Sequence, residues 1–185
     1  MSPAGPPEDA VARTRAWLET TVIGLNLCPF AKAAHDARQI RYFVSGARTT
    51  GELAADLVSE LRLLGTLDPA EVETTLLIHP QVLGDFLDYN DFLDEADATL
   101  ETLGLVGTFQ IASFHPRYQF AGTSPEDVTN RTNRSPYPML HLLREASVER
   151  ALEEFPDAAL IPQRNIETMR RLGPGGLASP GPAPG

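Results

Sequence analysis

Cysteine is almost missing from this 185-residue chain: Cys28 stands alone. No intramolecular disulfide can form, so a reducing compartment is the simple expectation. Lysine is as scarce, with Lys32 the single one, and positive charge is short altogether. Fifteen Lys and Arg against 25 Asp and Glu give a formal net charge of -10. That balance argues against general nucleic-acid binding and against attachment to an anionic membrane, since both need a basic footprint. No apolar run approaches the roughly 18–20 residues of a membrane span. The opening MSPAGPPEDA lacks the basic start and apolar centre of a secretory signal, so the expected location is cytoplasmic. A P-loop, a dinucleotide glycine fingerprint, a Gly-x-Ser-x-Gly elbow and a Cys-x-x-Cys pair are all missing. The familiar cofactor classes go with them, and no cofactor is expected.

What is present suits one globular domain. Hydrophobic residues make up 42% of the chain, enough for a core without disulfides or metals. Pro- and Gly-rich ends, residues 1–7 and 173–185, are expected to be disordered tails around a domain of residues 8–172. Apolar spacing predicts a helix over residues 8–23, with a restart at Cys28-Pro29, where Pro29 takes a first helical position. Further helices are expected over residues 49–64 and 82–103, the second either continuous or broken near Asn90. Short β-branched and aromatic runs predict strands over residues 40–45, 74–78 and 109–114. Ser135-Pro136 reads as an N-cap and first-turn pair opening a helix to about residue 154, and a last helix runs from about 162 to Gly173. Strands alternating with helices give an α/β or α+β class with a sheet of three strands or more.

The stretch from Gly107 to Tyr137 draws the most attention. A buried strand runs into His115-Pro116, and a long loop follows that carries Arg117, Tyr118, Asn130, Arg131, Asn133 and Arg134 before Ser135. A loop of that length inside a small domain is uncommon unless it has a function or is disordered. His79-Pro80 repeats the pattern of apolar strand, then His-Pro. If the strands are parallel, Ser45, His79 and His115 share one edge, where ligands of open sheets gather. The two histidines are then candidate acid/base groups, or they simply bond loop backbone. Arg117, Asn130, Arg131, Asn133, Arg134 and Ser135 are candidate anion ligands beside a helix start, or a loop that ties itself down. Cys28, at a helix N-terminus, is a candidate nucleophile, or a small buried hydrophobe. A metal held by Cys28, His79 and His115 is a further alternative. His141 is expected on a helix, partly exposed, and the acidic run from Asp85 to Glu95 as a solvated face.

Six strings, GLNLCPFA, TTLLIHP, DFLDYNDFLD, FQIASFHPRYQFAGT, NRTNRSPYPMLHLLREASVERA and IPQRNIETMRRLG, occur in that order. Together they resemble the family catalogued as domain of unknown function 1415, over about residues 10–173. The resemblance implies a bacterial-type cytoplasmic protein with that family's shared architecture, and it carries over no catalytic residue. The functional expectation from the residues is an enzyme acting on a small phosphate- or carboxylate-bearing metabolite. The alternative is a non-catalytic module that senses a ligand or docks a partner.

Overall fold

A computed structural model describes residues 7–155 and 157–175. The expected tails lie outside those residues for the most part. Helix α1 (Pro7–Trp17) passes directly into a π-helical stretch, Leu18–Ile23, that ends at Gly24. There follow α2 (Pro29–Asp36), β1 (Ile40–Val44), α3 (Thr50–Thr66), β2 (Thr74–Ile78), α4 (Phe86–Thr102) and β3 (Phe109–Phe114). A 3-10 turn over Val128–Asn133 leads to β4 (Met139–Arg144), α5 (Glu145–Glu154), a 3-10 turn over Ala158–Leu160, and α6 (Ile161–Leu172). The start of α3 is sharp because Thr49 and Glu52 form a reciprocal capping box.

The sheet order is β1-β2-β4-β3. Strand β1 runs parallel to β2, and β4 runs antiparallel to both of its neighbours. It follows that β3 points the same way as β1 and β2. The class is therefore α+β with a mixed sheet. The crossovers through α3 and α4 step in the same direction along the sheet, and right-handed crossings put both helices on one face. There Leu53, Leu57, Leu61 and Leu64 of α3, with Tyr89, Phe92, Ala96 and Leu100 of α4, pack on Leu77, Leu140, Leu142 and Phe109. On the opposite face, Ala10, Trp17, Leu18 and Val22 pack on Leu76, Ile78, Met139 and Tyr137.

Ser135 and Pro136 open no helix. The chain stays extended through Met139–Arg144, and the helix begins only at Glu145. Pro138 disfavours helical backbone at Tyr137, and ladders to β2 on one side and β3 on the other hold β4 flat. Met139 and His141 point to one face, Leu140 and Leu142 to the other. Because helices cover both faces, the run looks continuously apolar rather than alternating, and Met, Leu and Arg all favour helix in isolation. Pairing overrides that preference. Helix α4 also differs from expectation. It starts at Phe86 on an Asp85 cap and runs unbroken past Asn90, which is exposed, as is Leu87. Its buried stripe includes Tyr89 and Phe92. The remaining acidic residues of the run, Asp88, Asp91, Asp94 and Glu95, lie on its exposed side.

Candidate functional site: a strand edge and an apolar chamber

The carboxyl ends of β1, β2 and β3 deliver Ser45, His79 and His115 to one edge of the sheet, and all three are buried. Each is engaged. The Ser45 hydroxyl donates to the Asp56 carboxylate at 2.5 Å and accepts from the Ala47 N–H. His79 Nδ1–H donates to the Val82 carbonyl at 3.1 Å. His115 Nε2–H donates to the Leu83 carbonyl at 3.1 Å, and its Nδ1 accepts the Arg117 backbone N–H at 3.0 Å. Arg117 reaches the same loop, with its guanidinium donating to the Gly84 carbonyl at 2.8 Å and facing the Asp85 carboxylate. Both imidazoles lie against the Tyr89 ring. Tyr89 itself donates to the Met139 carbonyl and accepts the Phe114 N–H.

The bonds from His79 Nδ1, His115 Nε2 and the Arg117 guanidinium have a common target, residues 79–85, the loop joining β2 to the cap of α4. The loop turns at Leu83 with φ of 58°, a left-handed conformation that costs a leucine energy and must be held by its surroundings. Burial pushes both ring pKa values down to about 4, so both rings are neutral at pH 7. A carbonyl fixes His79 as the Nδ1–H tautomer. Its Nε2 is left sealed and without a partner.

The polar side chains of the arginine-bearing loop are engaged by backbone groups of the loop, of β3 and of the segment after α6. Asn130 Oδ1 accepts the Phe120 N–H, and its Nδ2 donates to the Ser124 carbonyl. Asn133 Nδ2 donates to the Ser113 carbonyl. Arg134 donates from Nε to the Tyr118 carbonyl at 3.1 Å and from Nη2 to the Pro125 carbonyl at 2.6 Å. Arg131 donates to the Pro174 carbonyl at 2.7 Å, beyond the end of α6. Ser135 Oγ donates to the Tyr137 carbonyl. With no helix start at Ser135, the dipole and free N–H groups expected there are absent.

Cys28 lies elsewhere. It packs with the cluster on the opposite face of the sheet, whereas His79 and His115 pack on Tyr89 under α4. The sheet separates the three residues of the alternative metal site. Among the described residues no group of three or more His, Cys, Asp or Glu is placed to hold a metal ion. Burial raises the Cys28 pKa against the lowering effect of the Ala31 and Phe30 N–H groups, so the sulfur is a neutral thiol, which favours the small buried hydrophobe over the nucleophile.

That thiol lines a cavity of about 770 Å³ between α2, α5 and the sheet, a feature the sequence reading missed. The reason for the space is in the residues. Helix α2 brings Ala31, Ala33 and Ala34 to the wall, α5 brings Ala151 and Ser147, and β3 brings Ala112 to the floor. Short side chains hold two helices over a sheet without filling the gap between them. No residue of α5 is buried. Trp17, Leu18 and Val22 form another wall. Few polar groups face inward. His141, a strand residue and not a helical one, is half-buried on the floor with Thr74 beside it. The mouth carries charge: Arg150 lines it and bridges to Glu73 at 3.1 Å. Arg144 also lines the cavity, but its guanidinium is committed to the carbonyls of Leu64, Leu67 and Val72.

The fold and this chamber describe an α+β protein with a ligand-sized apolar space on one side of its sheet. The family described as "Protein of unknown function (DUF1415)" matches residues 9–179, and the chain belongs to it. No curated protein and no solved structure matches the chain. Among the described residues no helix is long and apolar enough to cross a membrane.

Proposed function

We propose that this chain binds an apolar small molecule in the chamber between α2, α5 and the sheet. One observation carries the reading: a mostly apolar cavity of about 770 Å³ with a few inward-facing polar groups. Ligand sites are concave, apolar and roughly 300–1,000 Å³ in volume. A guest that removes roughly 300 Å² of apolar surface from water gains on the order of 7 kcal/mol before the costs of association. Micromolar binding takes about 8 kcal/mol net of those costs, so the chamber walls that the guest dries must contribute a comparable gain.

The sole tryptophan, Trp17, stands in the wall and serves as a built-in reporter. The test is energy transfer from Trp17 to N-phenyl-1-naphthylamine, an uncharged aromatic dye, titrated into the full chain. Saturable one-to-one transfer is expected, and it should fall at least tenfold in Ala112→Phe, which plants a ring in the floor. A wild-type protein without saturable transfer would end this reading.

A second reading keeps catalysis at the strand edge, with a small anionic metabolite as substrate. His79 Nε2, the one imidazole nitrogen there without a partner, favours it. On that reading His79 is the base, His115 and Arg117 hold the loop around it, and Arg131 and Arg134 attract the anion once released from their carbonyls. Melting scans with phosphorylated and carboxylated metabolites test it. A ligand at 100 times its Kd adds roughly 2.7 kcal/mol, and no shift with any of them removes it.

A further inference from the structure

On the chamber floor the hydrogen-bond directions are fixed. The Thr74 hydroxyl has one proton, and it goes to the Leu142 carbonyl at 2.6 Å, because a carbonyl can only accept. The 2.8 Å contact between Thr74 Oγ1 and His141 Nε2 must then be donated by the histidine. His141 is therefore the Nε2–H tautomer, and Nδ1 carries the lone pair. Nδ1 has no hydrogen bond among the described residues, and it is not among the sealed atoms left without one, so it opens into the chamber that the ring lines. The chamber thus offers a guest a positioned acceptor.

It offers no free positive charge to match an anionic guest. Cys28 is a neutral thiol, the Arg144 guanidinium is committed to three carbonyls, and Arg150 is bridged to Glu73. An anionic ligand would lose its hydration there and gain no counter-ion, a cost of several kcal/mol.

We infer that the chamber selects a mainly apolar molecule without negative charge, bearing one hydroxyl or similar donor, which it orients by a hydrogen bond to His141 Nδ1. This rests on the chamber being the ligand site and adds the class of ligand. Thr74 acts through His141 as a positioning residue, since it dictates which ring nitrogen carries the proton.

The experiment uses the full chain and three aromatic probes of similar size, each displacing the dye excited through Trp17. They are 2-naphthol, which donates; 2-methoxynaphthalene, which only accepts; and 2-naphthoate, which is charged. In the wild type the preference for naphthol over its methyl ether should be about tenfold greater than in His141→Leu, the upper end for a neutral hydrogen bond. Naphthoate should bind at least tenfold more weakly than naphthol. Thr74→Val gives an independent reading if His141→Leu does not fold. With its ring released to present either nitrogen, the naphthol preference should shrink there too. A naphthol preference unchanged in the folded variants, or naphthoate binding as tightly as naphthol, overturns the inference and leaves the apolar chamber standing. Wild-type protein that binds neither the dye nor any probe overturns both.

Discussion

One sheet carries two differently built faces. Under α3 and α4 the side chains are Leu53, Leu57, Leu61, Leu64, Tyr89 and Phe92, all buried, and the space is filled. Under α2 and α5 they are Ala31, Ala33, Ala34 and Ala151 over Ala112, and the space is open. The strands are common to both faces, so the difference comes from side-chain volume on the covering helices. A close-packed layer resists change of even one methylene, whereas a layer of alanines around a void has already given up that packing energy. A binding chamber can thus be made from a core by shortening side chains, with no change in topology.

The comparison sharpens first on truncation. Leu57→Ala, at a fully buried position of α3, should cost about 3–4 kcal/mol in chemical denaturation. Val148→Ala, a half-buried wall residue of the chamber, should cost less than about 1 kcal/mol. Equal costs would mean that both faces are packed alike.

Acid gives the next effect. Burial holds His79, His115 and His141 near pKa 4, while an unfolded chain protonates its histidines near 6.5. Between those values the unfolded state binds more protons, so stability should fall as pH drops from about 6.5 to about 4. Denaturation midpoints measured across that window check it. Replacing His79 with Gln should flatten part of the slope, and an unchanged slope would rule out a buried neutral His79.

Tyr89→Phe removes the hydroxyl that serves the Met139 carbonyl and the Phe114 N–H, leaving two buried backbone groups unmet. The expected loss is about 1–3 kcal/mol by urea titration, with dye binding unaffected. A small effect is expected from Arg134→Ala, about 1 kcal/mol, because its carbonyl bonds are partly solvated. If that variant instead abolishes the response to an anionic ligand while its melting temperature holds, the loop is an anion site after all.

The sequence made the strands visible where they were short and β-rich. Thr74–Ile78 and Phe109–Phe114 were legible to the residue, and with them the edge shared by Ser45, His79 and His115. Strand β4 was not, because a strand covered on both faces loses its alternation and its Met, Leu and Arg residues favour helix. The site was less legible. His-Pro at a strand exit and arginines in a long loop are conspicuous, but whether such groups are spent on nearby carbonyls depends on coordinates. The chamber left little trace in the string. Its walls come from Trp17, Thr74, Ala112, His141 and Ala151, and an alanine facing a void is spelled the same as an alanine in contact.

The strand order has a consequence for how the chain comes to fold. Strand β3 has a single neighbour, β4, and β4 is the last strand in the sequence yet sits inside the sheet. During synthesis, residues up to about 138 can pair only β1 with β2, leaving β2 and β3 with bare hydrogen-bonding edges on either side of a missing strand. Two-stranded pairs are marginal in water, and unpaired edges invite association with other chains. Closure therefore waits for Met139–Arg144 to emerge and insert, joining both edges at once. A chain stopped before residue 139 should be protease-sensitive and prone to aggregate, and one that includes α5 should become resistant in a single step.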